Sequence, residues 1–207
     1  MFDDLIRLKA PPPNRVRACP SGVEHHLYEG AVMLAFAMHL FRTLPGLQRV
    51  TLHPDGEHGK QFEIREWLAK RGYELTTRTG KTEYGGTYQH TNGTAVTVHP
   101  CPGLGDVETE YDGFTIVAEC KGGIINTSHA GQVSRLRRGL CEAVGLSLGV
   151  PMDGNLRQYA VVPRTKHTEA LAKRIADRVA AAGVEIALVD ARGDVFDVPH
   201  SNKAKLS

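Results

Sequence analysis

Polar and apolar residues alternate along residues 105–123, and Asp112-Gly113 interrupts the alternation near its middle. An Asp-Gly pair between alternating apolar residues is the strongest short-range signal for a two-residue hairpin turn. That turn places Asp106 opposite Glu119 on the partner strand. Because side chains in a strand point alternately to its two faces, one face of the hairpin is apolar. Its residues are Val107, Thr109, Tyr111, Phe114, Ile116, Ala118 and Cys120.

The rest of the chain has recognisable helix and strand patterns. A capping box at Ser21 and Glu24 predicts a helix that runs to about Leu44, where Pro45-Gly46 stops it. Residues 80–94, rich in Gly and Thr, predict a long loop or hairpin. The other predicted elements are strands 50–53, 73–77, 95–98, 158–162 and 184–189 and helices 60–71, 128–144 and 168–182.

The final strand, helix and strand imply a parallel pair of strands joined by a right-handed crossover. Together with the antiparallel hairpin, this unit predicts an α/β fold with a central mixed β-sheet flanked by helices. A length of 207 residues favours one domain with additions. We expect an N-terminal extension over residues 1–58, a core over 59–198 and a flexible tail over 199–207.

Composition narrows the classes of protein only modestly. A net charge of +2 permits a nucleic-acid partner without arguing for one, and the four cysteines lack a Cys-x-x-Cys pair. We therefore expect neither a disulfide framework nor a zinc ribbon. The N-terminus shows no signal-peptide pattern, which favours the cytoplasm. The apolar run over residues 31–41 is too short to span a bilayer, so no membrane partner is expected.

The polar face of the hairpin carries the clearest candidate chemistry. Asp106 and Glu119 are close enough in this register to hold one cation, and Lys121 stands beside them. Mg²⁺ usually takes one or two carboxylates and keeps water and substrate phosphate in its other positions. An acidic pair with a Lys thus suits metal-assisted phosphodiester hydrolysis. The plainer alternative is the solvated face of an ordinary hairpin.

Gly105-Asp106, the turn and Glu119-Cys120-Lys121 together resemble the PD-(D/E)xK nuclease superfamily. The resemblance implies a restriction-endonuclease-like core and an endonuclease that acts on DNA rather than RNA. It also implies a Mg²⁺ or Mn²⁺ ion bound by Asp106, Glu119 and the main-chain carbonyl of Cys120, with Lys121 positioning the attacking water. The chain departs from the motif at Gly105, where the family has Pro.

The family resemblance extends to residues outside the hairpin. Gln132, on the helix after Glu-x-Lys, matches a Gln that several members aim at the active site. Glu63 is the candidate for the helical acid that supports the metal site, although some members place that acid where this chain has Gln61. A surface carboxylate is an equal alternative for Glu63. Polar residues at the start of the first long helix are expected to be solvated. These are Glu24, His25, His26 and Glu29, for which a role as ligands is the alternative.

Three basic residues are candidate nucleic-acid contacts: Arg135, Arg138 and Lys81. For Arg135 and Arg138 a solvated helix face is an equal alternative, and a plain hairpin tip is the stronger alternative for Lys81. At the level of the whole protein, the alternatives are a non-cleaving nucleic-acid-binding or regulatory subunit and an unrelated small-molecule α/β enzyme.

The helix over residues 31–41 is too apolar to face solvent on any side. A two-fold dimer would supply the two cuts that duplex cleavage requires. We therefore expect a homodimer in which Val32, Phe36 and Phe41 lie at or just beneath the interface. The alternative is that this helix packs wholly within its own subunit.

Overall fold

Nine strands form one mixed sheet in the computed structural model, which describes residues 2, 4–54, 61–151 and 154–201. Three further short strands form a second sheet. The strands are β1 (Ile6–Lys9), β2 (Glu24–Leu27), β3 (Arg49–Leu52), β4 (Tyr73–Arg78), β5 (Gly86–His90), β6 (Ala95–Val98), β7 (Val107–Tyr111), β8 (Phe114–Cys120), β9 (Gly123–Ile124), β10 (Leu156–Pro163), β11 (Val184–Val189) and β12 (Val195–Asp197). The helices are α1 (Glu29–Thr43), α2 (Ile64–Ala69), α3 (Ala130–Ser147) and α4 (Lys166–Ala181), and a 3₁₀ helix spans Pro13–Ala18.

The large sheet has the strand order β12-β11-β10-β8-β7-β3-β6-β5-β4. Strands β7 and β8 are antiparallel, whereas β8, β10 and β11 run parallel to one another. The predicted turn is confirmed, because Asp112 and Gly113 have φ angles of 50° and 77°, as a tight hairpin turn requires. The predicted α/β fold with a central mixed sheet flanked by helices is likewise confirmed.

Helices cover the two faces of the sheet with separate apolar cores. On one face, α1 packs with α2 and with the apolar side of the β7–β8 hairpin, including Ile116 and Ala118. On the other face, α3 and α4 pack on strands β10 and β11 through Leu140, Ala160 and Ile186. The apolar face of the hairpin therefore packs in the core with α1. Its polar face points to the side of the sheet on which α3 lies.

The predicted start of the first helix is wrong. Glu24–Leu27 is strand β2, which pairs antiparallel with β1 and with β9, and α1 begins only at Glu29. The capping-box signal at Ser21 fails because β1 and β9 supply hydrogen-bond partners to the backbone that a helix would otherwise use. The pairing of β2 with β9 thus brings the residues before α1 next to those that follow β8.

The boundary predicted at residue 58 does not separate these elements in space. Strand β3 pairs with both β6 and β7 within the large sheet, and α1 contributes to the main core. Val32 and Phe36 are completely buried within a single chain. The apolar helix therefore covers its own sheet. The homodimer stays a prediction, but the apolar character of this helix no longer argues for it.

Other predicted boundaries agree more closely with the structure. The predicted ends of β6 and β11 are confirmed, residues 80–94 include strand β5, and α2 is limited to Ile64–Ala69. The predicted helix start at Lys60 and the end of the tail, 202–207, lie outside the described residues. Within the described ranges, none of the helices combines the length and the apolarity needed to cross a bilayer.

We expect Phe36→Ala to lower the free energy of unfolding by about 3–5 kcal/mol, because it removes a fully buried aromatic ring from the core. Urea unfolding at two protein concentrations measures the effect. The loss should be the same at both, since Phe36 packs within its own chain. Leu8→Ala is the control: Leu8 is 63% exposed, and its truncation should change stability by less than about 0.5 kcal/mol. A loss that disappears at high protein concentration would instead place Phe36 at an interface.

Candidate active site

The β7–β8 hairpin brings Asp106 and Glu119 together as predicted. Val107 pairs with Ala118, and the N–H of Asp106 donates to the carbonyl of Ala118 over 2.9 Å. Oδ2 of Asp106 accepts a hydrogen bond from the N–H of Cys120 at 2.7 Å. The carboxylate of Asp106 is thereby fixed across the strand from Glu119, at the end of β8.

Gly105 explains the departure from the Pro-Asp motif. A Cβ atom at this position would lie 2.6 Å from Cγ1 of Val117 and 3.1 Å from the carbonyl oxygen of Ala118. The N–H of Gly105 also donates to Oε1 of Glu108 at 3.1 Å, a hydrogen bond that proline cannot make. The loop before Asp106 therefore runs against β8 too closely for any side chain at this position.

Glu29 joins the two hairpin carboxylates from the first turn of α1. Its Oε2 lies 3.5 Å from Nζ of Lys121, and Oε1 of Glu142 on α3 lies 4.0 Å from the same nitrogen. Glu29 is only 7% exposed, so the expectation that it is solvated is wrong. No local pattern in the sequence indicates that α1 begins beside the end of β8, so the position of Glu29 could not be predicted.

Glycine at position 122 permits that proximity. A Cβ atom on Gly122 would lie 2.6 Å from both the N atom of Glu29 and the carbonyl oxygen of Leu27. Main-chain atoms cannot give way as a flexible side chain can, so only glycine allows this approach. The Gly122-Gly123 pair directly after Lys121 is thus the sequence signal for a close contact at the site.

The cluster concentrates negative charge in a half-buried place. Burial first, and then the neighbouring carboxylate of Asp106, raise the pKa of Glu119 to about 7. Burial alone would lower the pKa of Lys121, but the carboxylates of Glu29, Asp106 and Glu142 outweigh it and raise that pKa. Lys121 is therefore a firmly protonated ammonium beside carboxylates that repel one another.

Cys120 contributes only main-chain atoms to this site. Its side chain is buried in the core, and burial followed by the charge of Asp106 raises the pKa of the thiol well above its usual value. The N–H of Lys121 donates to Val161 on β10, whereas that of Cys120 donates to Asp106. Because the N–H and C=O of one strand residue leave on the same side, the carbonyl of Cys120 leaves on the side of Asp106.

A cleft of about 360 Å³ opens beside Glu29. Gly122 lines it next to Glu29, and α3 contributes Gln132 and Arg135 to its lining. Arg15, from the 3₁₀ helix, also lines it. The structure therefore places Gln132 and Arg135 in the cleft beside Glu29, together with Arg15, which no sequence pattern indicated.

Glu63 does not reach the cluster. Its side chain is 62% exposed, lies 3.8 Å from Arg7 and lines a separate hollow with Glu66. The prediction that Glu63 is the helical acid of the site is therefore wrong. The helical carboxylate next to Lys121 is that of Glu29. From the segment around Glu63, it is Gln61 that lines the cleft.

Arg138 and Lys81 also lie away from the cluster. Arg138 lines a hollow between α3 and α4 together with Arg137 and Arg174. Lys81 is exposed between β4 and β5, three strands from β7 in the sheet and so about 14 Å away at the usual strand spacing. Their contacts with nucleic acid remain predictions about surfaces flanking the site.

A larger groove, of about 840 Å³, lies beyond the cluster between the hairpin tip and β3. Carboxylates of Glu108, Glu110 and Asp112 line it, with Arg49 as the basic member of the lining. An acidic lining disfavours a phosphate ligand. The smaller cleft, with its two arginines, is therefore the better candidate for a substrate site.

The donor set suits a hard divalent cation. Within the described part of the chain, no three His, Cys, Asp or Glu side chains are arranged to hold a metal ion. The set implied by the motif needs only two carboxylates, Asp106 and Glu119, with the carbonyl of Cys120, and Mg²⁺ often takes no more than two. A divalent cation here would also relieve the repulsion that raises the pKa of Glu119.

No protein-family model, no curated protein and no solved structure matches this chain. The likeness to the PD-(D/E)xK nucleases therefore depends on the residues of the site. The resemblance stays a prediction; what the structure shows is that Asp106, Glu119 and Lys121 lie together with an acid from a preceding helix.

We expect Glu119→Gln to stabilise the metal-free protein above pH 7. The folded protein keeps the Glu119 proton to about pH 7, whereas the ordinary value is 4.5. Between these values the folded state binds more protons than the unfolded state, so the free energy of unfolding falls as the pH rises. The variant lacks this titration. Urea unfolding in EDTA should therefore show a higher midpoint than wild type at pH 8 and a similar one near pH 4.5.

Glu110→Gln is the matched control for this measurement. Glu110 lies on β7, on the same polar face of the hairpin, but is exposed. Its substitution leaves the carboxylates of Asp106 and Glu119 in place, so it should not raise the urea midpoint at pH 8. A Glu119→Gln variant that is less stable than wild type on the alkaline side would contradict the proposed repulsion.

Proposed function

We propose that this protein is a metal-dependent endonuclease that hydrolyses phosphodiester bonds, with DNA as its substrate. The single observation that carries the proposal is the convergence of Asp106, Glu119 and Lys121 with Glu29. Oδ2 of Asp106 is fixed on the main chain of Cys120, and Nζ of Lys121 lies 3.5 Å from Glu29. A basic cleft adjoins this cluster, which suits a negatively charged strand.

Each residue of the site has its own role in the proposed reaction. Asp106, Glu119 and the carbonyl of Cys120 would hold a Mg²⁺ or Mn²⁺ ion, which supplies Lewis acidity and makes water a better nucleophile. Lys121, kept protonated by its acidic neighbours, would orient the attacking water and offset the charge that develops on the phosphoryl oxygens. Gln132 lies on the wall of the cleft, where its amide can donate to a phosphate oxygen.

A raised pKa at Glu119 adds support of a different kind. Groups whose pKa is shifted by burial and by a specific charged neighbour cluster at functional sites. Glu119 meets both conditions, since burial and then Asp106 are the largest causes of its shift. A purely structural hairpin would gain stability from a neutral residue at this position.

We expect Asp106→Asn and Glu119→Gln to abolish cleavage while the fold survives, because each removes a ligand charge with little change of shape. Plasmid DNA, single-stranded DNA and RNA are incubated with Mn²⁺ or Mg²⁺, with EDTA as a blank. Glu110→Gln, on the polar face of the same hairpin, is the control and should cut like wild type. Circular dichroism melting checks that each variant folds.

The assay separates the two leading functions. Cleavage by wild type that both site variants lose supports the nuclease, and cleavage at the wild-type rate by either variant refutes the assigned site. Metal-independent binding of DNA by a wild type that cuts none of the substrates would support the alternative, a non-cleaving binding or regulatory subunit. Cleavage of RNA alone would correct the choice of DNA.

Lys121→Ala should lower turnover by about 10²–10³-fold yet leave Mn²⁺ affinity within about threefold of wild type. An ammonium group is not a metal ligand, so its loss affects the reaction rather than the binding of the ion. Isothermal titration calorimetry measures Mn²⁺ affinity, and single-turnover cleavage measures the rate. Lys173→Ala, which removes an exposed lysine paired with Glu169, is the control. A variant that no longer binds Mn²⁺ would show that Lys121 has a different role.

A further inference from the structure

Arg15 is held in place by a buried carboxylate. Its Nε and Nη2 atoms donate to Oε1 and Oε2 of Glu24 at 2.7 and 3.0 Å. Glu24 is only 2% exposed, and Nε2 of His26 lies 3.1 Å from its Oε2. A carboxylate buried to this degree is costly unless it is paired, so the fork of Arg15 is fixed in one orientation.

This fixed guanidinium lines the cleft beside Glu29. Among the described residues, Nη1 of Arg15 has no hydrogen-bond partner, so the group retains donors for a ligand. Arginine on a buried carboxylate is a way to pre-orient a cation, which lowers the entropy lost when a ligand binds. The unfavourable burial of the Glu24 carboxylate is thus consistent with a role in orienting Arg15 at the cleft.

A second arginine lines the same cleft. Arg135 and Gln132 project from the first turns of α3 into the same cleft, and Gly122 and Gly123 form part of its lining without side chains. Within the described chain, Arg135 makes no ion pair. Two guanidinium groups and an amide around about 360 Å³ favour a ligand with several anionic oxygens.

We propose that this cleft binds a phosphate group of the nucleic-acid strand, next to the scissile phosphate, with Arg15 and Arg135 as its ligands. This inference rests on the proposed nuclease function, because Glu29 belongs both to the cleft and to the cluster around Lys121. The strand then passes from the metal-binding carboxylates across Gly122 to the two arginines. Arg15 becomes a substrate-binding residue, and Glu24 a positioning residue that acts through it.

The test measures binding without cleavage. All variants carry Asp106→Asn, which removes a carboxylate charge that repels the strand, and a short fluorescein-labelled DNA oligonucleotide reports binding by anisotropy. Arg15→Ala and Arg135→Ala should each weaken binding by about 10-fold, the effect of one lost charge-assisted hydrogen bond. Each should also reduce the slope of log affinity against log salt by about one, which a merely structural change would not do.

Matched controls lie on the same two elements. Arg17 is an exposed residue of the same 3₁₀ helix as Arg15, and Arg137 is exposed on α3 but lines a different hollow. Their alanine variants should bind within about twofold of the parent. Arg15→Lys keeps the charge but loses the forked contact with Glu24, so we expect a salt slope like the parent's with weaker binding.

The outcomes separate this inference from the proposed function. Unchanged affinity and salt slope in Arg15→Ala and Arg135→Ala overturn the subsite, even if the wild-type protein cuts DNA. Arginine-dependent binding, together with a wild-type protein that cuts none of the nucleic-acid substrates, supports the subsite and refutes the nuclease. Should Arg15→Ala fail to fold, Arg135→Ala decides the matter alone, because Arg135 is exposed on α3. Displacement of the oligonucleotide by micromolar inorganic phosphate overturns the assignment to a strand and indicates a free-anion site.

Discussion

The site depends on one close contact, between the main chain at Gly122 and the start of α1. No atom beyond hydrogen fits there, because a Cβ would meet the N atom of Glu29 at 2.6 Å. This contact brings an acid from the first helix to the lysine that follows β8. Pairing of β2 with β9 keeps the two segments in register. Without that contact, the carboxylates of Asp106 and Glu119 would face solvent, and Gly122 and Glu29 would not line one cleft.

Charge at the site opposes the stability of the fold. Burial and the neighbouring Asp106 both disfavour the ionised form of Glu119, while Lys121 offsets only part of the repulsion. Proteins retain such conflicts chiefly where function requires them. Arg15 and Glu24 show the complementary solution, in which a buried carboxylate is fully paired and its partner is held rigid. The two halves of the site thus differ in kind: in one, neighbouring carboxylates repel each other, and in the other a carboxylate is paired with a guanidinium group.

Local signals predicted what local interactions determine. The Asp112-Gly113 turn sets the register of the hairpin by itself, so the facing of Asp106 and Glu119 followed from the sequence. The last strand, helix and strand were predictable for the same reason. Glu29 was not, because its proximity to Lys121 arises from packing between segments that are remote in the chain. At Ser21 the capping-box signal was outweighed by strand pairing, which supplies more hydrogen bonds than one cap.

The pairing of β2 with the residues after β8 has a consequence for how the protein is made. The N–H of His25 donates to the side chain of Asn126 across 101 residues, so this part of the fold closes a long loop. Contacts of such sequence separation form late, since the entropy of loop closure must be overcome before they stabilise anything. During synthesis the first helix emerges long before Lys121 does. A partly made chain therefore carries Glu29 without Lys121, and the site exists only in a chain that has finished folding.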